Sequence, residues 1–457
     1  MSTAAPHVPA LSIGALLHLA WPIVVSRSTQ VVVGLCDALM VADLGEAALA
    51  ATTTGALDTY AVVMLPFGIV FIVQSFASQL YGKGEAVAAR RYGYYGVLVA
   101  IATQLVCVAA LPAIRPLIAH GDYAPDVRSL LGDYLVWRLP AAGAIVGLEA
   151  LGNYYAGLGN TRLPMRVSVL AMVLNVAGNW ILIGGHLGAP ALGVRGAALA
   201  SALSTAIAFA VLLIKFVLDG RSVRSVLPRL SMREFASMLR FGVPSGLNWF
   251  VELLAFIFFV NVVVGGLGTT ALAALMVVFQ VNAVSFMPAF GLSSAGAILV
   301  GQAIGAGRKD LVPRAVRLTF ATVATWQVSV GVVYLIAPEL LFSAFVPSRE
   351  EPGSLLRVGA ALLALSAAWQ LFDAAAATLG EALRAAGDTM FTMWARIAIA
   401  WLVFAPGSYF TVRHLGWSER GAALWMILYL AMLAIVLFAR FHSGAWRRIE
   451  LTRATIT

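Results

Sequence analysis

The sequence predicts an all-α membrane protein with twelve transmembrane helices in two pseudo-symmetric six-helix bundles. Of its 457 residues, 61% are hydrophobic and only 11% are charged, whereas a soluble domain carries about a quarter charged residues. The apolar residues form twelve runs, each long enough to cross a bilayer as a helix. The first six runs also resemble the last six in local sequence, which indicates an internal repeat.

The first six predicted spans form a bundle within residues 1–218. Each span is an apolar run that ends at a short connection with glycine, proline or charged residues, as at Gly82-Lys83-Gly84. The predicted bounds are 15–41, 49–80, 92–114, 129–157, 163–186 and 196–218. The longest polar connection follows at 219–234, and its basic, amphipathic character predicts a cytoplasmic linker along the membrane surface.

The last six predicted spans form a second bundle within residues 235–442, followed by a basic cytoplasmic tail at 443–457. The predicted bounds are 235–266, 271–304, 314–340, 354–386, 389–413 and 420–442. The first of these spans holds a carboxylate, Glu252, near its middle, and no Lys or Arg of the apolar stretch 242–266 neutralises it. An ionisable group at that depth is costly, so it marks a candidate functional site.

Short motifs recur in the same order in both halves. LGEAALAA at 44–51 returns as LGTTALAA at 267–274, and SQLYGKG at 78–84 returns as GQAIGAG at 301–307. Gly159-Asn160-Thr161 likewise matches Gly387-Asp388-Thr389. Six spans per half make the two copies parallel, with a repeat axis along the membrane normal, as in alternating-access transporters.

The basic residues predict the orientation of the chain. Most of the 30 Lys and Arg residues fall in alternate connections on the side that also holds both termini. By the positive-inside rule this side is cytoplasmic. We therefore expect a multi-pass protein of the plasma membrane or bacterial inner membrane. We also expect it to be embedded in the lipid bilayer as a monomer.

Several function classes lack support in the sequence. It contains no Walker A pattern, metal-ligand cluster or nucleophile elbow, so neither an enzyme nor a resident cofactor is expected. The basic residues are not interleaved with aromatic residues, so nucleic acid is not an expected partner. Cys36 and Cys107 both lie in apolar runs and do not suggest a disulfide framework. An ion gradient remains as the source of energy for transport.

The intramembrane carboxylates are the candidate coupling groups for cations or protons. Glu252 and Asp373 could form one polar nest in the second half. Asp37 could form another with the amides Asn175 and Asn179, which lie one turn apart on span five. Burial favours a protonated carboxyl group, which can carry a proton, whereas two carboxylates together can bind a metal cation. The alternative for both amides is interhelical hydrogen bonding.

A second set of residues is predicted to line a substrate cavity. These residues are Asp58, Gln280, Asn282, Phe286 and Met287. Aromatic surfaces beside acidic groups suit aromatic cations. The alternatives are that Asp58 is a near-surface residue and that the aromatic side chains face lipid or neighbouring helices.

The remaining intramembrane charges have structural interpretations. Glu149 and Glu381 are expected to pair with arginines of the cytoplasmic side. Arg27 is expected to snorkel to the cytoplasmic interface. The sequence does not identify partners for Arg138 and Arg396, which could form buried structural pairs.

Taken together, these motifs resemble those of MATE (multidrug and toxic compound extrusion) transporters of the NorM-like branch. The resemblance covers about 16–439 and rests on GLCDALMVADLGEAALAA (34–51), SQLYGKG (78–84), AGLGNTRLPM (156–165), LNVAGNWILI (174–183), GVPSGLNWFVE (242–252), VGQAIGAGR (300–308) and FDAAAATLGEALRAAGDT (372–389). It implies two lobes around a V-shaped cavity and the antiport of organic cations against sodium ions or protons.

The resemblance also assigns roles to residues. Asp37 matches the family's first-helix acid and Asn175 a fifth-helix amide beside it, while Asn179 stands where some members carry Asp. Glu252 and Asp373 match the acidic pair associated with Na+ binding. Leu275-Met276 replaces a frequent His-Gln pair on span eight, where Gln280 and Asn282 could substitute.

Two functions follow as hypotheses. The first is efflux of amphipathic organic cations coupled to sodium ions or protons by alternating access. The alternative is a flippase for lipid-linked precursors, which needs basic residues to bind a pyrophosphate. Only Arg27, Arg138 and Arg396 favour the alternative, because the other charges at mid-depth are mainly acidic.

Overall fold

The computed structural model describes residues 7–222, 230–343, 345 and 353–452. Residues 223–229 of the predicted linker, with Arg224 and Arg229, lie outside the described residues. So do residues 453–457 of the predicted tail, and Arg349 of the predicted connection between spans nine and ten.

Twelve helices in the described part of the chain are long and apolar enough to cross a membrane. We number them α1 Ile13–Ala42, α2 Glu46–Gly82, α3 Ala86–Ala119, α4 Pro125–Gly157, α5 Arg162–Gly184, α6 Val194–Gly220, α7 Met232–Leu267, α8 Thr269–Gly305, α9 Val312–Ile336, α10 Leu355–Ala386, α11 Thr389–Arg413 and α12 Glu419–His442. Each overlaps one predicted span, so the predicted all-α fold with twelve spans is confirmed.

Local departures from α-helical geometry interrupt several of these helices. Turns of 3-10 helix occur at Leu139–Ala141 in α4 and at Ala367–Trp369 in α10. Turns of π-helix occur at Phe259–Val264 in α7 and at Ile399–Phe404 in α11. Such π-helical turns are rare and frequently lie at functional sites.

Glycines at matched positions of the repeat adopt the same backbone conformation. Gly45 precedes α2 with φ 102° and ψ 170°, and Gly268 precedes α8 with φ 106° and ψ 169°. Two further matched pairs with positive φ are Gly84 with Gly307 (78° and 76°) and Gly159 with Gly387 (84° and 89°). Only glycine adopts such angles readily. The recurring motifs therefore encode equivalent turns in both halves.

The described helices divide into two compact units. One contains Val25–Gly246, and the other contains His7–Val24 and Leu247–Leu451. Helices α1 and α7 thus each contribute residues to both units, and each has a proline, Pro22 or Pro244, shortly before the point of division. The lobe bounds that the sequence suggests, 1–218 and 235–442, stay predictions.

Small residues allow close helix packing within the first unit. A Cβ atom on Gly68 of α2 would lie 2.5 Å from the Cα atom of Gly246 on α7. Glycine at both positions lets the two backbones approach, which is how transmembrane helices commonly gain van der Waals contact. The first unit consequently holds the beginning of α7 directly against α2.

Candidate functional site

An acidic residue and two amides form a buried cluster in the first unit. Nδ2 of Asn179 donates hydrogen bonds to Oδ1 of Asp37 at 2.5 Å and to Oδ1 of Asn175 at 3.3 Å. All three side chains are buried. The structure therefore brings together Asp37, Asn175 and Asn179, as the sequence suggests.

Two further residues complete this amino-terminal cluster. Oγ of Ser201, on α6, donates to Oδ2 of Asp37 at 3.1 Å and accepts from Nδ2 of Asn175 at 2.8 Å. Arg138 donates to the backbone oxygen of Ser201 at 3.0 Å, and its charge interacts favourably with that of Asp37. One carboxylate thus lies near one guanidinium, so their charges balance.

A second cluster forms in the other unit around Glu252 of α7. Nη1 of Arg396, on α11, makes an ion pair with Oε2 of Glu252. The hydroxyl of Tyr429, on α12, donates to Oε1 of Glu252 at 3.0 Å. The partner of Glu252 therefore comes from another helix, and each of its two oxygens contacts a donor.

Asp373 of α10 belongs to the same carboxy-terminal cluster. Nε2 of Gln327, on α9, donates to Oδ2 of Asp373 at 2.7 Å. Asp373 is close enough to Glu252 and Arg396 for their charges to act on it. The predicted grouping of Glu252 with Asp373 thus appears in the structure, together with a guanidinium.

The charges of the carboxy-terminal cluster do not balance. With all groups ionised, Glu252 and Asp373 supply two negative charges and Arg396 supplies one positive charge. A carboxylate without its own counter-charge is costly within a membrane. A single monovalent cation or proton would neutralise the cluster, whereas the cluster around Asp37 already holds one charge of each sign.

Aromatic packing supports the geometry of this second cluster. The π-helical turns Phe259–Val264 and Ile399–Phe404 follow Glu252 and Arg396 on their respective helices. The rings of Phe259 and Phe404 lie 4.9 Å apart between centroids, and those of Phe404 and Tyr429 lie 5.1 Å apart. Side chains locked by packing hold a site precisely. The two π-helical turns and Tyr429 therefore position the ion pair.

The prediction that Arg27 snorkels to the cytoplasmic interface is wrong. Nη1 and Nη2 of Arg27 donate to the two carboxylate oxygens of Glu149, at 3.1 and 2.6 Å. Asn153 donates to the same carboxylate at 3.0 Å, and the guanidinium lies 5.5 Å from the ring centroid of Phe71. The two charge-assisted hydrogen bonds to Glu149 stabilise the guanidinium inside the protein, so Arg27 does not need to extend to the interface to reach water.

Breaking this pair should destabilise the protein. We expect Glu149→Gln to lower its stability by about 3 kcal/mol, because a mostly buried Arg27 would lose its counter-charge. The double variant Glu149→Gln/Arg27→Met should recover most of that loss. Thermal unfolding of the purified protein measures both.

The exposed pair Lys215–Asp219 provides a control for this experiment. Lys215→Met should change stability by less than about 1 kcal/mol, because water screens exposed pairs. Equal losses in Glu149→Gln and Lys215→Met would contradict a special contribution from the Arg27–Glu149 pair.

Glu381, the other acid expected to pair with an arginine, does so. Glu381 makes a buried ion pair with Arg384, three residues further along α10. Among the described residues, neither Glu149 nor Glu381 forms a hydrogen bond with the cluster around Asp37 or with the carboxy-terminal cluster. Both acids are therefore better explained as structural partners than as coupling groups.

The predicted cavity residues occupy different environments. Gln280 and Phe286 are exposed, whereas Asp58 and Met287 are partly buried. Asn282 is buried, and its amide accepts from Gln370 at 2.6 Å and donates to Ser366 at 3.2 Å. Both of its polar atoms are thus bonded between helices, and a cavity-lining role for these five residues stays a prediction.

Sequence reasoning missed several members of the clusters. Ser201, Gln327 and Tyr429 are single polar residues within apolar helices, and such residues also serve as ordinary interhelical contacts. For Gln327, the available signal was one amide in the middle of the apolar run VATWQVSVGV at 323–332. Nothing in a single sequence shows that this amide faces Asp373.

The described residues contain no group of three or more His, Cys, Asp or Glu side chains placed to hold a metal ion. Glu252 and Asp373 offer only two carboxylates, and Arg396 already binds one of them. A cation at this site would therefore need further oxygen ligands from amides, carbonyl groups or water.

Comparison with known proteins identifies the family. The model of the MatE family matches residues 22–181 and 244–410, one segment in each half of the sequence repeat. The chain belongs to the MatE family. Among its MatE relatives, the probable multidrug resistance protein NorM of Mesorhizobium japonicum is 29% identical over 446 residues, covering 94% of this chain and 93% of the relative. The multidrug resistance protein NorM of Burkholderia vietnamiensis is 26% identical over 434 residues, covering 93% and 92%.

Solved structures agree with this MatE fold. An outward-facing multidrug resistance MATE family transporter of the MOP superfamily matches with a TM-score of 0.84 at 20% identity, covering 95% of this chain and 96% of that chain. A MOP superfamily transporter from Pyrococcus furiosus matches equally well, with a TM-score of 0.84 at 21% identity over the same shares. At such identities these likenesses establish the fold alone.

Proposed function

We propose that this MatE protein is a secondary active multidrug efflux transporter that exchanges amphipathic organic cations for sodium ions or protons by alternating access. The observation that carries this proposal is the carboxy-terminal cluster, in which Glu252 and Asp373 outnumber Arg396 by one charge. Relatives named as multidrug resistance proteins support the efflux of drugs. An unbalanced intramembrane charge supports coupling to a cation, since such residues mark ion pathways.

Either coupling ion fits the charge of the cluster. A proton would neutralise one carboxyl group, and a sodium ion would use carboxylate oxygens as hard ligands. A cationic drug carries the same charge and could balance the cluster when the coupling ion has left. Mutually exclusive binding of the two cations would make them exchange, which is the requirement for antiport.

We assign the cluster around Asp37 a separate part in coupling. Arg138 balances its charge, and three polar side chains, those of Asn175, Asn179 and Ser201, hydrogen-bond with the Asp37 carboxylate. Protonation of Asp37 would turn one of its two acceptor oxygens into a donor, so one of the two hydrogen bonds that link α1 to α5 and α6 would be lost. Such a change is a means by which a proton could act on helix packing.

The flippase alternative receives less support. It depends on basic residues free to bind a pyrophosphate, yet Arg27 pairs with Glu149 and Arg396 pairs with Glu252. Arg138 donates to Ser201 beside Asp37. None of these three guanidinium groups brings an excess of positive charge to its surroundings.

The remaining assignments follow from this function. We place the protein in the plasma membrane or bacterial inner membrane, with both termini cytoplasmic because Lys and Arg concentrate on that side. We further propose that it functions as a monomer. Organic cations are the proposed substrates, and exposed Phe286 is a candidate contact for their aromatic rings. We infer no enzymatic activity.

Reconstitution in proteoliposomes tests the proposed function. We expect efflux of an organic-cation dye when a sodium or a proton gradient is imposed alone, and none without a gradient. Asp37→Asn should alter the dependence of efflux on the proton gradient, because the variant has no carboxyl group to titrate there. Turnover of a lipid-linked precursor without dye efflux would refute the proposal in favour of a flippase.

A further inference from the structure

Gln327 places an unpaired oxygen in the carboxy-terminal cluster. The side chain is 0% exposed, and its Nε2 donates to Asp373 at 2.7 Å. Its Oε1 is buried and has no hydrogen-bond partner among the described residues. A buried acceptor left unsatisfied lowers the stability of a protein by about 1–3 kcal/mol. A ligand that pairs with this oxygen would recover that free energy.

The orientation of the amide follows from its neighbour. An ionised carboxylate only accepts hydrogen bonds, so Gln327 must direct its NH2 group towards Asp373. The carbonyl oxygen then points elsewhere within the buried site. A hydrogen-bond donor or a cation could satisfy that oxygen.

The two carboxylates of the cluster differ in how they are neutralised. Arg396 and Tyr429 already contact both oxygens of Glu252. Asp373 instead takes its hydrogen bond from the neutral amide of Gln327. The uncompensated charge of the cluster therefore lies on the side of Asp373 and Gln327.

We propose that Gln327 is a ligand of the coupling cation, which its carbonyl oxygen Oε1 binds together with the carboxylate of Asp373. This inference rests on the proposed function and specifies a sodium ion, because a metal cation needs several oxygen ligands and a proton needs only one. Binding would pair the buried oxygen and balance the charge of Asp373 in one step. Gln327 would thus help to select sodium ions over protons.

Thermal unfolding of the purified full-length protein tests the proposal. The protein is titrated with NaCl while KCl keeps the ionic strength constant, and the midpoint of the rise in Tm reports the affinity for sodium. Gln327→Leu and Gln327→Met remove the oxygen while keeping a side chain of similar size. We expect both variants to raise the sodium midpoint about tenfold or more.

Gln370 is the matched control for these variants. It is a buried glutamine on the same helix as Asp373, but both of its polar atoms are paired. Oε1 accepts from Ser285 at 3.0 Å and Nε2 donates to Asn282 at 2.6 Å. Gln370→Leu should lower Tm at every sodium concentration and leave the sodium midpoint unchanged.

The outcomes separate this proposal from the proposed function. A wild-type sodium midpoint in either Gln327 variant overturns the proposal, because sodium then binds without Oε1. A wild-type protein whose Tm does not respond to sodium also overturns it, while proton-driven dye efflux would leave the proposed function intact. Absence of gradient-driven efflux would instead refute the proposed function itself.

Discussion

Asp373→Asn should reduce gradient-driven efflux to the background of empty vesicles while the protein still folds. The substitution preserves shape and removes one negative charge, so Glu252 and Arg396 remain as a balanced pair. No excess charge is then left in the cluster to attract a cation. Dye efflux from proteoliposomes measures the activity, and gel filtration of the purified variant confirms folding.

A surface carboxylate serves as the control for this variant. Asp310 is exposed, and the hydrogen bond from Arg308 lowers the pKa of its carboxyl group. It is therefore a negatively charged carboxylate at neutral pH, outside the predicted spans. Asp310→Asn should transport at the wild-type rate. Wild-type efflux by Asp373→Asn would remove Asp373 from the mechanism.

Glu252→Gln should also abolish efflux, and a second substitution should restore part of it. In the single variant, Arg396 loses its partner and balances Asp373 instead, so the cluster becomes neutral. Replacing Arg396 by Met in the same protein removes that positive charge and returns the cluster to one excess negative charge. The double variant Glu252→Gln/Arg396→Met should therefore transport measurably, whereas Glu252→Gln should not.

The variant Arg396→Met alone completes the set. It leaves two carboxylates without a guanidinium, so the cation should bind more tightly and leave more slowly, and efflux should fall. Arg396→Lys keeps the charge and should retain more activity than Arg396→Met. A double variant as inactive as Glu252→Gln would show that the identity of Glu252 matters, and not the charge of the cluster.

The twelve helices were predictable because hydrocarbon thickness fixes the length of an apolar run. The repeat was predictable as well, since turns such as those at Gly45 and Gly268 depend on local sequence. The π-helical turn at Phe259–Val264 was not predictable, because its run of apolar residues also fits an α-helix. The division of α1 and α7 between the two units depends on long-range packing, which local patterns do not encode.

The sites were predictable in part. Asn175 and Asn179 lie four residues apart on one helix face, so their association follows from helical periodicity. The pairing of Glu252 with Arg396 joins residues on α7 and α11 and depends on how these helices face each other. A long arginine side chain can reach either water or a partner, and Arg27 contacts its partner Glu149, which its position in the sequence does not indicate. Only the folded chain distinguishes these outcomes.

Cation binding by the charge-balanced variants tests the central claim most directly. The claim is that one uncompensated negative charge in the carboxy-terminal cluster binds the coupling ion. The cation-dependent rise in Tm should be present in wild type, absent in Glu252→Gln and present again in Glu252→Gln/Arg396→Met, with sodium and protons titrated separately. A response in Glu252→Gln equal to that of wild type, for whichever cation wild type binds, would contradict the claim.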